Sequence, residues 1–141
     1  MPSKIKPEGT IGDALLMVRV PKKGRAIIAT RKIMRGETIV STPFIKMSSS
    51  DVESTDGRLS RYVWHDGFAA GAGSFFNHDD NPNADIKRKK GLIIFKAERD
   101  IGTGEEITID YGYKISDPIA PVRVSKKKLL RMLGSKPRAL S

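Results

Sequence analysis

Two short segments concentrate the residue types that could do chemistry in this chain: Asn77-His78-Asp79-Asp80-Asn81-Pro82-Asn83 and Glu105-Glu106-Ile107-Thr108-Ile109-Asp110-Tyr111-Gly112-Tyr113. The first reads as a bend that buries polar side chains, the second as a strand that carries a tyrosine into a glycine turn. Tyr111 and Tyr113 then place two phenolic hydroxyls on one side of that strand. Upstream, the stretch from Phe68 to Phe76 is a run of small residues ending in two aromatics, where a backbone or a ligand can approach closely. Taken singly, each feature has a plainer reading as an Asx-rich turn, a packed core strand, or a tyrosine with a satisfied hydroxyl. Their conjunction favours a site.

The elements that must position these residues read as mostly β. From Leu15 to Met47, short apolar stretches (Leu15-Val20, Ala26-Ala29, Thr38-Val40) alternate with turn residues (Pro21-Lys22-Lys23-Gly24 and Met34-Arg35-Gly36), which predicts a meander. Ala84-Lys87 and Leu92-Ala97, joined by the turn Lys87-Arg88-Lys89-Lys90-Gly91, and then Glu106-Asp110 form a second β-rich region. Helical signal is limited to a turn at Leu59-Trp64 and a short helix at Ser125-Leu133, with Ser125 as N-cap and Gly134 as stop. An internal echo, A-x-R-x-I-x-x-G-E-x-I, runs over Ala29-Ile39 and again over Ala97-Ile107 and predicts two similar β units. No long crossover helices separate the strands, which argues against a parallel α/β sheet.

Composition narrows the function. At 141 residues the chain is long enough for one domain with its own core. It has no cysteine, which removes disulfide frameworks, thiolate zinc sites and cysteine nucleophiles together, and with His65 and His78 as the only imidazoles no metal centre is expected. No apolar run reaches membrane-spanning length and the first residues do not resemble a signal peptide, so an intracellular protein that does not enter a membrane is expected. Lys and Arg number 26 against 16 Asp and Glu, a formal charge of +10 that favours polyanionic partners. After Asp117 every charged residue is basic, and this tail lacks the interleaved aromatics of a single-strand stacking platform.

The two opening segments resemble the signature of the SET-domain protein lysine methyltransferases. The family's N-H-x-x-x-P-N motif is matched by Asn77, His78, Pro82 and Asn83, and its G-E-E-[LI]-x-[FIV]-D-Y-G motif by Gly104, Glu105, Glu106, Ile107, Ile109, Asp110, Tyr111 and Gly112. Its opening K-G-R-G-[VL]-F-A stretch is similar to Lys23-Gly24-Arg25-Ala26-Ile27-Ile28-Ala29. The layout is closest to the compact viral and bacterial members. The resemblance implies a β-clip fold of small sheets with a pseudoknot-like C-terminal crossing. It divides the chain into an N-terminal segment (1–14), a SET domain (15–113) and a C-terminal segment (114–141) that completes the lysine channel and ends in a basic tail.

What the resemblance implies meets a physical need. Methyl transfer from S-adenosylmethionine requires a neutral lysine amine in line with the S-methyl bond. Presenting a lysine of pKa about 10.4 neutral at pH 7 costs roughly 4–5 kcal/mol. A narrow apolar channel beside a sulfonium lowers that value by desolvation and like-charge repulsion, so no strong base is required. By resemblance Tyr111 is the catalytic tyrosine, and Gly24, Arg25, Ala26, Tyr62, Asn77, His78 and Tyr111 contact the donor. Phe76, Ile109, Tyr111 and Tyr113 would line the channel. Ala26 replaces the family's second glycine and is tolerable only with an ordinary backbone angle. Asp79-Asp80 replaces the usual Ser-Cys, in keeping with a zinc-free version whose channel is finished by Lys114-Val124.

The implied substrate is a lysine-bearing protein, a histone or another basic nucleic-acid-associated protein. The tail is either a helix packed through its leucines on the domain or a second subunit, or a docking arm for nucleic-acid phosphates extended by Lys87-Lys90. A homodimer is a further expectation. The alternative function is a catalytically weak binding module of the same fold, recognising nucleic acid or lysine-rich tails.

Overall fold

The computed structural model describes residues 4–46, 63–64, 67–69, 76–112 and 119–134. Among them are the strands β1 (Lys6–Ile11), β2 (Leu15–Val20), β3 (Gly24–Ala29), β4 (Thr38–Lys46), β5 (Val63–Trp64), β6 (Gly67–Ala69), β7 (Asn77–His78), β8 (Ala84–Lys89), β9 (Leu92–Ala97) and β10 (Thr108–Ile109), and the helix α1 (Lys126–Gly134). They form a three-stranded sheet in the order β1-β2-β3, a five-stranded sheet in the order β5-β6-β4-β9-β8, and the pair β10-β7. The pairings within the two larger sheets are antiparallel, whereas β7 and β10 run parallel.

Strand β2 shows why the first sheet sits at the centre. Its sequence Leu-Leu-Met-Val-Arg-Val is apolar on both faces, and all of it except Arg19 is buried. Leu15, with Ile27 and Ala29 of β3, faces a core built with Ile33, Phe76, Ile93, Phe95, Ile101, Ile107 and Ile109. Leu16, Val18 and Val20, with Ala26 and Ile28, face a second core closed by Val124, Leu129 and Met132. A strand covered on both sides carries no polar alternation. The described part of the C-terminal segment is therefore an integral layer: Leu129 and Met132 of α1 are buried against the sheet, and Lys128 N–H donates to the Ser125 hydroxyl at 3.2 Å as an N-cap.

The echoed motifs pack against each other about a local two-fold. Ile33 and Ile101 exchange both backbone hydrogen bonds, at 2.9 and 2.8 Å. On one side Ala29 N–H reaches Glu105 O (3.0 Å) and Gly104 N–H reaches Ala29 O (2.7 Å); on the other Ala97 N–H reaches Glu37 O (3.0 Å) and Gly36 N–H reaches Ala97 O (2.8 Å). Side chains follow the same symmetry: Glu37 accepts from Met34 N–H and Arg31, and Glu105 from Gly102 N–H and Arg99. Gly36 and Gly104 share φ values of 86° and 84°, a conformation that glycine reaches without steric cost.

Several elements differ from expectation. Strand β1, absent from the sequence reading, is added because β2 offers it a hydrogen-bonding edge, although Lys6–Ile11 has little strand character of its own. Of the helical turn expected at 59–64, Val63 and Trp64 are instead a strand paired with Phe68 and Gly67, and 59–62 lie outside the described residues. The basic hairpin turn is tighter than expected. Strand β8 continues to Lys89, and Lys90 and Gly91 alone make the turn, with φ of 45° and 79° as a two-residue connection with positive backbone angles demands. Strand β10 keeps only Thr108 and Ile109 of the expected Glu106-Asp110.

Candidate active site

The parallel pair of β7 and β10 brings the two chemically rich segments together, Thr108 beside Asn77 and Ile109 beside His78. Asn83, 1% exposed, fastens them. Its side-chain oxygen accepts from Thr108 N–H (2.9 Å) while its amide donates to Glu106 O (2.8 Å) and Glu105 Oε2 (3.1 Å). The glycine turn joins from the other side, where Ile107 N–H donates to Ile27 O at 2.8 Å and Ile28 bridges Glu106.

At the junction lies Glu106, whose side chain is 0% exposed. Its Oε1 accepts from Lys23 Nζ at 2.6 Å and from Val122 N–H at 2.9 Å; its Oε2 accepts from Asn77 Nδ2 at 2.8 Å. The Lys23 side chain is itself 6% exposed, and its ammonium also donates to Ala120 O at 3.2 Å. A buried carboxylate is tolerated only with partners of this kind. Asn77 Nδ2 makes a second bond, to Arg25 O at 2.8 Å, so the amide is tied to the β2–β3 turn as well. Nothing in the sequence motifs marks Lys23 or Glu106 for a role. The usable signal was an acidic residue inside a segment apolar enough to be buried, which must find a cation.

His78 links the motifs by its ring. Nδ1 accepts from Tyr111 N–H at 2.9 Å, which leaves the proton on Nε2, 2.7 Å from Asp80 Oδ1. The rings of His78 and Tyr111 stand 5.2 Å apart. The Tyr111 hydroxyl donates to Phe76 O at 2.8 Å. With its proton so committed, the phenolic oxygen and the carbonyl form an adjacent pair of acceptors, suited to a cationic carbon or an amine N–H. Phe76's ring is 1% exposed and tilted against Phe95 at 4.6 Å, so it belongs to the core and not to an open channel wall; what Phe76 offers the site is its carbonyl. Ile109 is likewise buried in the same core.

The β2–β3 turn fits a closely approaching ligand. Gly24 has φ 94°, and nothing lies within 4 Å of where a side chain would begin. Ala26 is fully buried in β3 opposite Val18 and is not among the positive-φ residues, so its methyl sits in an ordinary strand and the condition set by the sequence is met. Arg25 is exposed and its Nε donates to Glu8 at 3.0 Å. Tyr62, Tyr113 and residues 114–118 of the expected channel-closing segment lie outside the described residues. The described part of that segment meets Lys23 and Glu106 at Ala120 and Val122.

Beside the site, the Glu105 carboxyl is shifted. Burial alone would raise it, but the Gly102 N–H, Arg99 and Asn83 together hold it below the ordinary value. A cleft of about 310 Å³ beside Asp110 is lined by Pro82, Ala84, Asp85, Ile86 and Glu98. No cluster of metal-ligating side chains occurs among the described residues.

Comparison with known proteins bears on the family and the fold. A model of the SET domain matches residues 24–112. A Schizosaccharomyces pombe histone-lysine N-methyltransferase, specific for H3 lysine-37, is 34% identical over 101 residues, covering 64% of this chain and 68% of that protein. The crystal structure of a candidate histone methyltransferase from Plasmodium falciparum is similar with a TM-score of 0.59 at 22% identity, over 72% of this chain and 99% of that one, a likeness that bears on the fold.

Proposed function

Since this chain belongs to the SET-domain family, we propose that it acts as a protein-lysine N-methyltransferase, moving the methyl group of S-adenosylmethionine to a lysine side chain of a histone or another basic nucleic-acid-associated protein. The observation that carries the site assignment is the parallel pairing of β7 and β10, which sets Asn77 beside Thr108 and His78 beside Ile109, with the His78 ring against Tyr111 and the Tyr111 hydroxyl on the Phe76 carbonyl. A binding module needs none of these in that arrangement.

In this reading Tyr111 is the catalytic tyrosine. Its oxygen and Phe76 O orient the methyl group and the target amine, and alignment supplies most of the acceleration. The donor, when bound, supplies an electrophilic methyl on a sulfonium. The residues fit it: Gly24 leaves open space, Arg25 and Ala26 complete the turn, and Asn77 offers its side-chain oxygen to the amino-acid end. His78 holds Tyr111 through its ring and contributes backbone near the adenine. Tyr62 and Tyr113 retain their proposed pocket and channel roles, while Ile109, buried in the same core as the Phe76 ring, would support the channel from the core side. The carboxylates of Asp85, Glu98 and Asp110 around the neighbouring cleft suit a lysine-rich substrate.

Two finer assignments are proposals of the same kind. Lys126 and Lys127 of α1 and Lys87, Lys89 and Lys90 of the β8–β9 hairpin are exposed and favour nucleic-acid phosphates, and a homodimer would follow the habit of compact relatives. Residence inside the cell follows from the substrate class. Radiolabelled methyl donor with histones, beside Tyr111→Phe and Asn77→Ala, tests the reading. Label on lysine well above both variants is expected, and no label with no calorimetric donor binding would overturn it. Duplex affinity unchanged between low and moderate salt would remove the nucleic-acid contact, and a monomer in sedimentation the dimer.

A further inference from the structure

We propose that Glu106, charged and held by Lys23, is a positioning residue for the methyl donor: it locks the Asn77 amide in one orientation and fastens the C-terminal segment to the same point. The inference rests on the proposed role of Asn77 at the donor's amino-acid end. An amide has two N–H donors and one oxygen. Both donors of Asn77 are committed, to Arg25 O and Glu106 Oε2, each at 2.8 Å. A flipped amide would set its oxygen against those two oxygens, so the flip is excluded and Oδ1 is the amide atom left for the donor. An acceptor there suits the donor's ammonium group; an N–H there would repel it.

Glu106 can do this only as a carboxylate. All its described partners, Lys23 Nζ, Val122 N–H and Asn77 Nδ2, are donors. A glutamine at this place must turn an NH₂ toward one of them. Lys23 keeps the charge in place across 83 residues of sequence, and its further bond to Ala120 O, with Val122 N–H on the carboxylate, ties the C-terminal segment to the donor turn. Donor grip and C-terminal anchoring therefore share one buried carboxylate.

The test compares two ligands that differ only at the amino-acid end, S-adenosylhomocysteine and 5′-methylthioadenosine, by calorimetry on the full chain. Glu106→Gln should weaken S-adenosylhomocysteine by roughly ten- to a hundredfold, the effect of one charge-assisted hydrogen bond, and leave methylthioadenosine within about twofold. KM for the donor should rise while KM for the protein substrate holds. Equal loss for both ligands, the mark of general loosening, or loss for neither overturns the proposal. If Asn77→Ala leaves S-adenosylhomocysteine unaffected, the donor role of Asn77 fails and the proposal with it. Should Glu106→Gln not fold, the unaltered protein still decides: both Asn77 side-chain amide protons should exchange slowly with solvent by NMR, and fast exchange of both overturns the lock.

Discussion

The Tyr111 hydroxyl donates to the carbonyl oxygen of Phe76 at 2.8 Å, joining a residue near the end of one motif to the residue that precedes the other. The bond fixes a phenol that would otherwise rotate, and it leaves oxygen lone pairs where, in the proposed reaction, methyl and amine would meet. Tyr111→Phe should lower kcat by about two orders of magnitude, with donor affinity within a few-fold and stability reduced by about 1 kcal/mol. Single-turnover kinetics with radiolabelled donor, beside a denaturant titration, separates the two effects. A kcat within threefold of the parent would remove Tyr111 from catalysis.

Gly36 and Gly104 are related by the local two-fold and share their backbone angle, yet their surroundings differ. A Cβ at Gly36 meets nothing within 4 Å, whereas at Gly104 it would lie 2.0 Å from Val124 O. Gly36→Ala should cost about 1–2 kcal/mol, the left-handed backbone penalty. Gly104→Ala adds a clash with the backbone that anchors α1, and should cost at least about 2 kcal/mol more while loosening residues 122–134. Paired urea titrations with hydrogen exchange at Leu129 check this, and equal costs for the two would refute the packing argument.

Much of the fold could be read before the structure because it is local. β2 and β9 are apolar runs bounded by turn residues, and both match their predicted bounds, Leu15–Val20 and Leu92–Ala97. The echo in sequence marked two units that prove to be hydrogen-bonded partners. What could not be read was non-local. β1 exists because β2 has an edge, β7 and β10 are two residues each and gain their order from one another, and Lys23 and Glu106 are separated by 83 residues. Phe76 was expected to act through its ring, but an aromatic beside a site can as readily complete the core, and the carbonyl it contributes has no side-chain signature.

Glu105 sets an acid-side slope. Its pKa is lowered in the folded protein, since burial, which raises it, is outweighed by Gly102 N–H, Arg99 and Asn83. A depressed carboxyl contributes stability that is fully present above its unfolded value of about 4.3 and is lost as pH falls through the folded one. Glu105→Gln should therefore lower stability above about pH 5 and flatten its fall below that, so that the variant and parent curves converge in acid. Denaturant midpoints from pH 3 to 7 measure this. A parallel offset of the two curves at every pH would mean the charge of Glu105 is not what stabilises.

Ala26 stands at the second glycine of the K-G-R-G stretch that the sequence resembles, so the intuitive repair is Ala26→Gly. The structure argues against it. Ala26 is extended, paired with Val18, and its methyl is fully buried in the core beneath α1, so no ligand contact is blocked by it. Removing the methyl forfeits about 0.8 kcal/mol of burial, and glycine within a strand loses roughly another 0.5–1 kcal/mol of backbone entropy. The variant should be about 1–2 kcal/mol less stable with donor affinity within twofold. Calorimetric titration with S-adenosylhomocysteine, beside a urea titration, checks both. A gain of tenfold or more in affinity would mean that the methyl group does obstruct the donor, and that the turn's reach extends one residue further into β3 than its geometry indicates.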